Sequence, residues 1–198
     1  FSRSRGLGDV YKRQGFTDIV GEEKAQSFDK QKRIISGVID DIRIINVYVP
    51  NGASLGSEKY EYKLQWFQVL KAYLDDLILK EAREVCICGD FNIALDDKDI
   101  YNSKGKEKHI MSSPVERETL QNILTIGLKD AFRKFTTEGG HFSWWDYRSG
   151  GFQRNRGWRI DHLYLTHKLY EKAINCTIDI EPRKQEKPSD HTPVILEI

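Results

Sequence analysis

Residues 85–92 read VCICGDFN. Four apolar residues in a row end abruptly in Gly-Asp. A run this short and uniformly apolar has the pattern of a strand covered on both faces, at the centre of a sheet. Such a strand needs neighbours, and the flanking sequence supplies them. Residues 33–49, RIISGVIDDIRIINVYV, hold two β-branched runs parted by Asp40-Asp41, which reads as a hairpin. Pro50-Asn51-Gly52 stops the second strand with turn residues. From Ser57 to about Ala82, Leu64, Phe67, Leu70, Leu74, Leu77 and Ile78 recur at spacings of three and four, which predicts one long amphipathic helix.

Downstream, Asp96 to Ser113 is polar and reads as a surface loop. The stretch SSPVERETLQNILTIG predicts a helix with Ser113 as N-cap, Pro114 in the first turn, Glu116 in the capping-box position and Gly127 at the end. A short helix is expected in LKDAFRKF. HFSWWDYRSGGFQRNRG is aromatic and basic, a loop rather than a regular element, while WRIDHLYLT and HTPVILEI read as strands. Strands and helices interleave, so the class is α/β or α+β.

The 198 residues suit one domain, and 39% hydrophobic with 31% charged residues fit a soluble globular protein. No run of about 18 apolar residues exists, so no transmembrane helix is expected. The N-terminus lacks the apolar core of a secretory signal. A net charge of +1 neither favours nor excludes nucleic acid, because a basic face can hide inside a neutral total. Cys86, Cys88 and Cys176 are an odd count with no C-x-x-C pair, which argues against a disulfide framework or zinc site. They read as reduced core thiols of a cytosolic protein, Cys86 and Cys88 on opposite faces of their strand.

Four stretches place polar groups where a strand gives way to a loop: VYVPNG, CGDFNIAL, WRIDHLYL and KPSDHTPVIL. In GDFN, Asp90 and Asn92 are two apart and share one side of an extended backbone. The Asp can hold and deprotonate a water that the Asn orients, or the two can simply cap a turn. Asp190-His191 precedes the last strand, where His can bond a phosphate oxygen or act as acid or base; alone, Ser-Asp-His before Pro is also an ordinary turn. Asp161 stands within an apolar strand and needs a donor, either His191 from another strand end or a neighbour such as Arg159. Tyr48 could reach a phosphate from its strand end or be core with a wet tip.

Taken together and in this order, Y-x-P-N-G, G-D-F-N, Y-R-S-x-G-F-x-x-N-R-G-W-R-I-D-H and S-D-H-x-P closely resemble the exonuclease III family of apurinic/apyrimidinic (AP) endonucleases, within the endonuclease/exonuclease/phosphatase superfamily. The resemblance runs from about Gly15 to Ile198. GDFN and SDH are shared across the superfamily; FSWWDYRSGGFQRNRGWRIDHL is specific to its DNA-repair branch. The resemblance implies a two-sheet α/β sandwich flanked by helices. It implies a Mg2+-dependent phosphodiesterase, with Mn2+ able to substitute, that cuts double-stranded DNA 5′ to abasic sites in base excision repair. Activity on 3′-blocked ends, as 3′→5′ exonuclease and 3′-phosphatase, is implied too. By match, Asp90 orients and deprotonates water, Asn92 supports water and phosphate, and His191 held by Asp161 contacts the phosphate. Tyr48 contacts the phosphate, and Asp190, with Asp90, serves the metal or the leaving oxygen. Arg148, Arg154 and Arg156 are expected on DNA phosphates, Trp144 and Trp158 as walls of a pocket for a flipped-out abasic sugar, and Lys63 near the DNA backbone. For Trp145 core packing is the stronger expectation, and for Lys63 plain solvation is an equal one.

The family's first catalytic Asn and its metal-binding Glu belong before Gly15. Residues 4–14, SRGLGDVYKRQ, instead match the translation of a transposase-based sequencing adapter; a genuine basic arm is the alternative. Residues 1–14 are therefore expected to be a disordered non-native leader and 15–198 a partial catalytic domain, lacking the first strands and first helix and impaired in activity. A monomer in the cytoplasm, nucleoid-associated if bacterial and without membrane contact, is expected. The competing readings are a phosphomonoesterase of the same superfamily, a non-catalytic DNA-binding relative and a structural module.

Overall fold

A computed structural model describes residues 13–16 and 21–198. The strands are β1 (Arg13–Gln14), β2 (Ile34–Ile39), β3 (Ile42–Tyr48), β4 (Glu84–Asp90), β5 (Lys129–Asp130), β6 (Asp161–Leu165), β7 (Asn175–Ile178) and β8 (Val194–Glu197). The helices are α1 (Glu22–Asp29), α2 (Glu58–Lys80), α3 (Pro114–Leu124), α4 (Ala131–Phe135) and α5 (His167–Lys172). Six strands form one sheet in the order β1-β2-β3-β4-β6-β5, and β7 pairs with β8 in a second sheet. The stretch read as a non-native leader lies mostly outside the described residues. Of it, Arg13 and Gln14 pair antiparallel with Ser36 and Ile35.

The strand expected at the centre is there. β4 runs parallel to β3 on one side and antiparallel to β6 on the other. Its two faces serve two cores. Val85 and Ile87 pack with Trp66, Phe67 and Leu70 of α2 and Leu120 of α3. Cys86 packs on the opposite face with Phe132, Leu165, Leu169 and Cys176 beneath the β7–β8 sheet. The uniform apolarity of 85–88 follows from this double cover. The expectation that Cys86 and Cys88 face opposite ways is wrong. Two residues are one full pleat, so they share a face, and their thiols are hydrogen-bonded to each other.

The hairpin turns at Asp40 and Asp41, with φ of 48° and 64°. Positive φ at both central residues is the turn that matches strand twist, and Asp tolerates it better than most side chains. α2 starts at Ser57, whose hydroxyl accepts from the Tyr60 amide. Its buried face includes Lys63, Trp66, Phe67, Leu70, Leu74 and Leu77; Leu64, expected in the stripe, lies at its flank. α3 has the full capping box, Ser113 and Glu116 each bonding the other's main-chain amide.

The segment 96–113 is not only a surface loop. Asp99 is wholly buried and bonded to Arg159, and Arg133 joins the pair. Ile100 and Met111 pack against Trp158 and Ile160 in a small third core. No helix among the described residues is long and apolar enough to cross a membrane.

Candidate active site

Strand register builds the site first. Tyr48 on β3 stands opposite Asp90 on β4, and Asp90 stands opposite Asp161 on β6. Three residues far apart in sequence thus form one row across three adjacent strand ends. Gly89, beside this row, has φ of 127°, and a Cβ there would lie 2.0 Å from the Val47 carbonyl oxygen. Only glycine lets β3 and β4 close up at this point.

After Asp90 the chain does not stay extended, as the sequence reading assumed. Asn92 turns into the left-handed region at φ 50°. Its side chain still meets Asp90: its amide donates to Asp90 Oδ1 at 2.8 Å and its Nδ2 to Asp90 Oδ2 at 2.9 Å. Asn92 Nδ2 also donates to the Val49 carbonyl at 2.9 Å, and Asn92 Oδ1 accepts from Asn51 Nδ2 at 2.9 Å. Burial, with the Asp161 charge beside it, pushes the Asp90 carboxyl up to about 7, against opposing pulls from His191, the Asn92 amide and Lys63. A carboxyl poised near neutrality suits a general base.

His191 Nδ1 lies 2.9 and 3.1 Å from the two oxygens of Asp161. The alternative partner for Asp161 is engaged elsewhere, since Arg159 bonds Asp99 at 2.7 Å and Asp130 at 2.7 Å. Burial lowers the His191 pKa, but the Asp161 hydrogen bond and the charges of Asp161, Asp90 and Asp190 outweigh it and raise it overall. The Asp161 contact leaves Nε2 available to the cavity that His191 lines.

The aromatic segment is more ordered than a loop. Trp144 and Trp158 exchange main-chain hydrogen bonds at 2.9 and 3.0 Å. Trp145 N donates to Asp190 O at 3.0 Å, and Thr192 N to Ser143 O at 2.8 Å. The Asp190-His191 segment is therefore pinned by main-chain bonds on both sides. Ser143, which the sequence reading did not select, accepts from the amides of Ile160 and Asp161 at 3.1 and 3.0 Å. Trp144 Nε1 donates to Asp190 Oδ2 at 2.9 Å. Trp145 is core, as expected, at 1% exposure.

One cavity of about 520 Å³ collects Tyr48, Asp90, Asn92, Trp144, Arg148, Arg156, Trp158, Asp190 and His191. It also takes Asn51, Lys106, His109, Met111, Asp146 and Ile160, none of which the sequence reading placed in a site. Asn51 was visible in the Pro-Asn-Gly turn and the Y-x-P-N-G motif but was given no role of its own. His109 carried no local signal; it arrives because the 96–113 segment folds over Trp158, ring to ring at 5.2 Å. Neither expectation for Lys63 holds, since it is fully buried and paired with Glu116 at 2.5 Å. Arg154 is exposed and stands outside the cavity lining. Arg148 lines it while bonded to Asp146 at 2.9 Å.

The donors here are carboxylate and amide oxygens, the chemistry of hard cations. No group of three or more His, Cys, Asp or Glu among the described residues is placed to hold a metal ion. Asp90 and Asp190, both lining the cavity, are the carboxylates there that a hard divalent cation with several retained waters would take.

Residues 17–191 match the endonuclease/exonuclease/phosphatase family. The chain belongs to this family. Its relatives lie in the DNA-nuclease branch. Exodeoxyribonuclease III of Haemophilus influenzae is 38% identical over 181 residues, covering 85% of this chain and 67% of that protein. The 3′-phosphatase NExo of Neisseria, solved with a product DNA hairpin, superposes with a TM-score of 0.87 at 35% identity, over 96% of this chain and 71% of that one. An AP endonuclease of Archaeoglobus fulgidus gives a TM-score of 0.80 at 35% identity, over 85% and 66%. The family fold is the expected α/β sandwich, its members in this branch are hydrolases acting on DNA, and the family is generally dependent on divalent metal.

Proposed function

We propose that this family member is a Mg2+-dependent phosphodiesterase, acting as a monomer in the cytoplasm, that incises duplex DNA 5′ to abasic sites. The observation that carries the proposal is the meeting, in one cavity, of Tyr48, Asp90 and His191, the last held by Asp161 from behind, with a wall of two indoles, Trp144 and Trp158. Hydrolytic groups beside an apolar wall suit a scissile phosphate next to a sugar that has no base to be read. Asp90 takes the proton of the attacking water, and Asn92, itself bonded by Asn51, orients the Asp90 carboxylate toward that water through two hydrogen bonds. Water oxygen bonds to phosphorus, the bond to the 3′ oxygen breaks, and that oxygen takes a proton from solvent, leaving a 3′-hydroxyl and a 5′-phosphate. His191, whose pKa Asp161 raises, and Tyr48 bond the phosphate oxygens as charge builds. When bound at Asp90 and Asp190, Mg2+ would supply Lewis-acid neutralisation of the phosphate. Arg148 and Arg156 hold flanking phosphates.

The test is a duplex carrying one abasic analogue, incubated with Mg2+ and with chelator. Metal-dependent incision at the analogue is the expected result. Cleavage of a soluble phosphomonoester with no preference for DNA would overturn it. His109 favours a second reading. Its ring covers Trp158, the indole that an abasic sugar would pack against, so the cavity would take a small 3′-terminal phosphate more readily. Under that reading, His109→Gly raises abasic incision relative to 3′-phosphate removal by about tenfold, the scale of one lost pocket contact. An unchanged ratio removes His109 from specificity.

A further inference from the structure

Lys63 is buried without exposed surface, behind the cavity rather than in it. Its ammonium meets three acceptors: the main-chain carbonyls of Asn51 at 3.2 Å and Asn92 at 2.8 Å, and Glu116 Oε1 at 2.5 Å. The two carbonyls belong to the residues whose carboxamides meet in the cavity. Glu116 in turn accepts from the amides of Met111 and Ser113, both at 3.1 Å. One ion pair therefore ties the turns after β3 and β4 and the segment leading to α3, all of which border the cavity.

A buried ion pair is a costly way to hold two helices together, since apolar residues of like volume do as well or better. α2 and α3 already share an apolar seam and the Tyr60–Ser113 hydroxyl contact at 2.9 Å. The remaining two donors of Lys63 go to the site turns, not to a helix. One of these is at Asn92, whose left-handed φ of 50° is disfavoured for a side chain and needs outside support. Gly52 makes room for the arrangement, because a Cβ there would lie 3.1 Å from Lys63 Cδ.

We propose that Lys63 is a positioning residue for the nuclease reaction: its ammonium fixes the carbonyls of Asn51 and Asn92 and so aims the Asn92 carboxamide at Asp90. The proposal rests on the family's nuclease chemistry, not on the abasic preference. Two variants of the full chain separate it from a purely structural role. Glu116→Gln weakens the ion pair but leaves the carbonyl contacts. Lys63→Met with Glu116→Leu removes the contacts but leaves a packed apolar pair. Each is assayed on whichever duplex the parent chain cleaves, with amide hydrogen exchange at Asn92, whose N–H donates to Asp90.

Glu116→Gln should melt earlier yet keep kcat within about twofold and Asn92 protection unchanged. The double variant, which also takes the acceptor from the Met111 and Ser113 amides, should melt earlier than the parent, keep KM, lose kcat by about tenfold or more and lose Asn92 protection, while central β4 amides stay protected. Retained kcat and protection in the double variant, or an equal kcat loss in Glu116→Gln, would overturn the proposal. Should the double variant not fold, Lys63→Gln takes its place. Its neutral, shorter side chain should expose the Asn92 amide, and full protection there would sink the idea. If the parent cleaves no duplex, the exchange comparison still decides the positioning role, and the failure lies with the activity.

Discussion

Asp90 shows how a single residue sets function against stability. Its carboxyl is held near 7 by burial and by Asp161, well above its value in an unfolded chain. The folded protein therefore binds a proton there that the unfolded chain has already lost between about pH 4 and 7, and stability falls as pH rises through that window. Above about 7 the full penalty of a buried, crowded carboxylate is present. Asp90→Asn should abolish cleavage and, without metal, raise unfolding free energy at pH 8 by about 1–2 kcal/mol. Below about pH 4 the gain should vanish, because both states are then protonated. Thermal melts across pH would check this; a variant no more stable at pH 8 than at pH 4 would contradict it. His191 slopes the same way, because its folded-state pKa is also raised. Its raised pKa adds stability below about 6.5 that is lost as pH climbs through the folded value.

At the scale of elements, the site depends on how closely β3 and β4 approach. The Gly89 conformation and the 2.0 Å gap to Val47 O leave no room for a side chain. Gly89→Ala should cost about 3 kcal/mol or more, from backbone strain plus a clash with main chain that cannot rotate away. It should also reduce cleavage in whatever fraction stays folded, because the shift falls on the Tyr48–Asp90–Asp161 row. Denaturant unfolding with a parallel assay measures both effects. A melt equal to that of the parent would mean that the strands separate at no cost.

At the scale of the molecule, the chain is nearly neutral, with 31 Lys and Arg against 30 Asp and Glu, so under the proposed function DNA affinity has to come from a few local cations. Among them, Arg156 lines the cavity with its ring contact to Tyr101, whereas Arg148 is already bonded to Asp146. That pairing holds the Asp146 carboxyl low through the Arg148 hydrogen bonds. Arg156→Ala should therefore lower the salt slope of binding by about 1, and Arg148→Ala by less. Titrations of a labelled duplex at several salt concentrations decide it. Equal slopes for the two variants would show that Asp146 gives way to phosphate.

What was legible in the sequence was whatever local pattern dictates. The apolar run 85–88 specifies a doubly covered strand, Asp40-Asp41 a tight turn, and Ser113 with Glu116 a helix start, because each reflects backbone geometry over a few residues. The motifs GDFN, RID and SDH named groups that meet at the candidate site, and the Asp161–His191 pair and the Asp90–Asn92 contact are where they were expected. The rest came from tertiary structure. Lys63 read as a surface cation, near the DNA backbone or solvated, because its partners lie 29 and 53 residues away. His109 sat in a polar stretch until chain packing laid it on Trp158. The poise of Asp90 depends on burial beside Asp161, which stands 71 positions later and becomes a neighbour only through β4–β6 register. Sequence encodes which groups are present and how the backbone runs locally, whereas burial and cross-strand distance, which set their charge and reach, exist only once the sheets have packed.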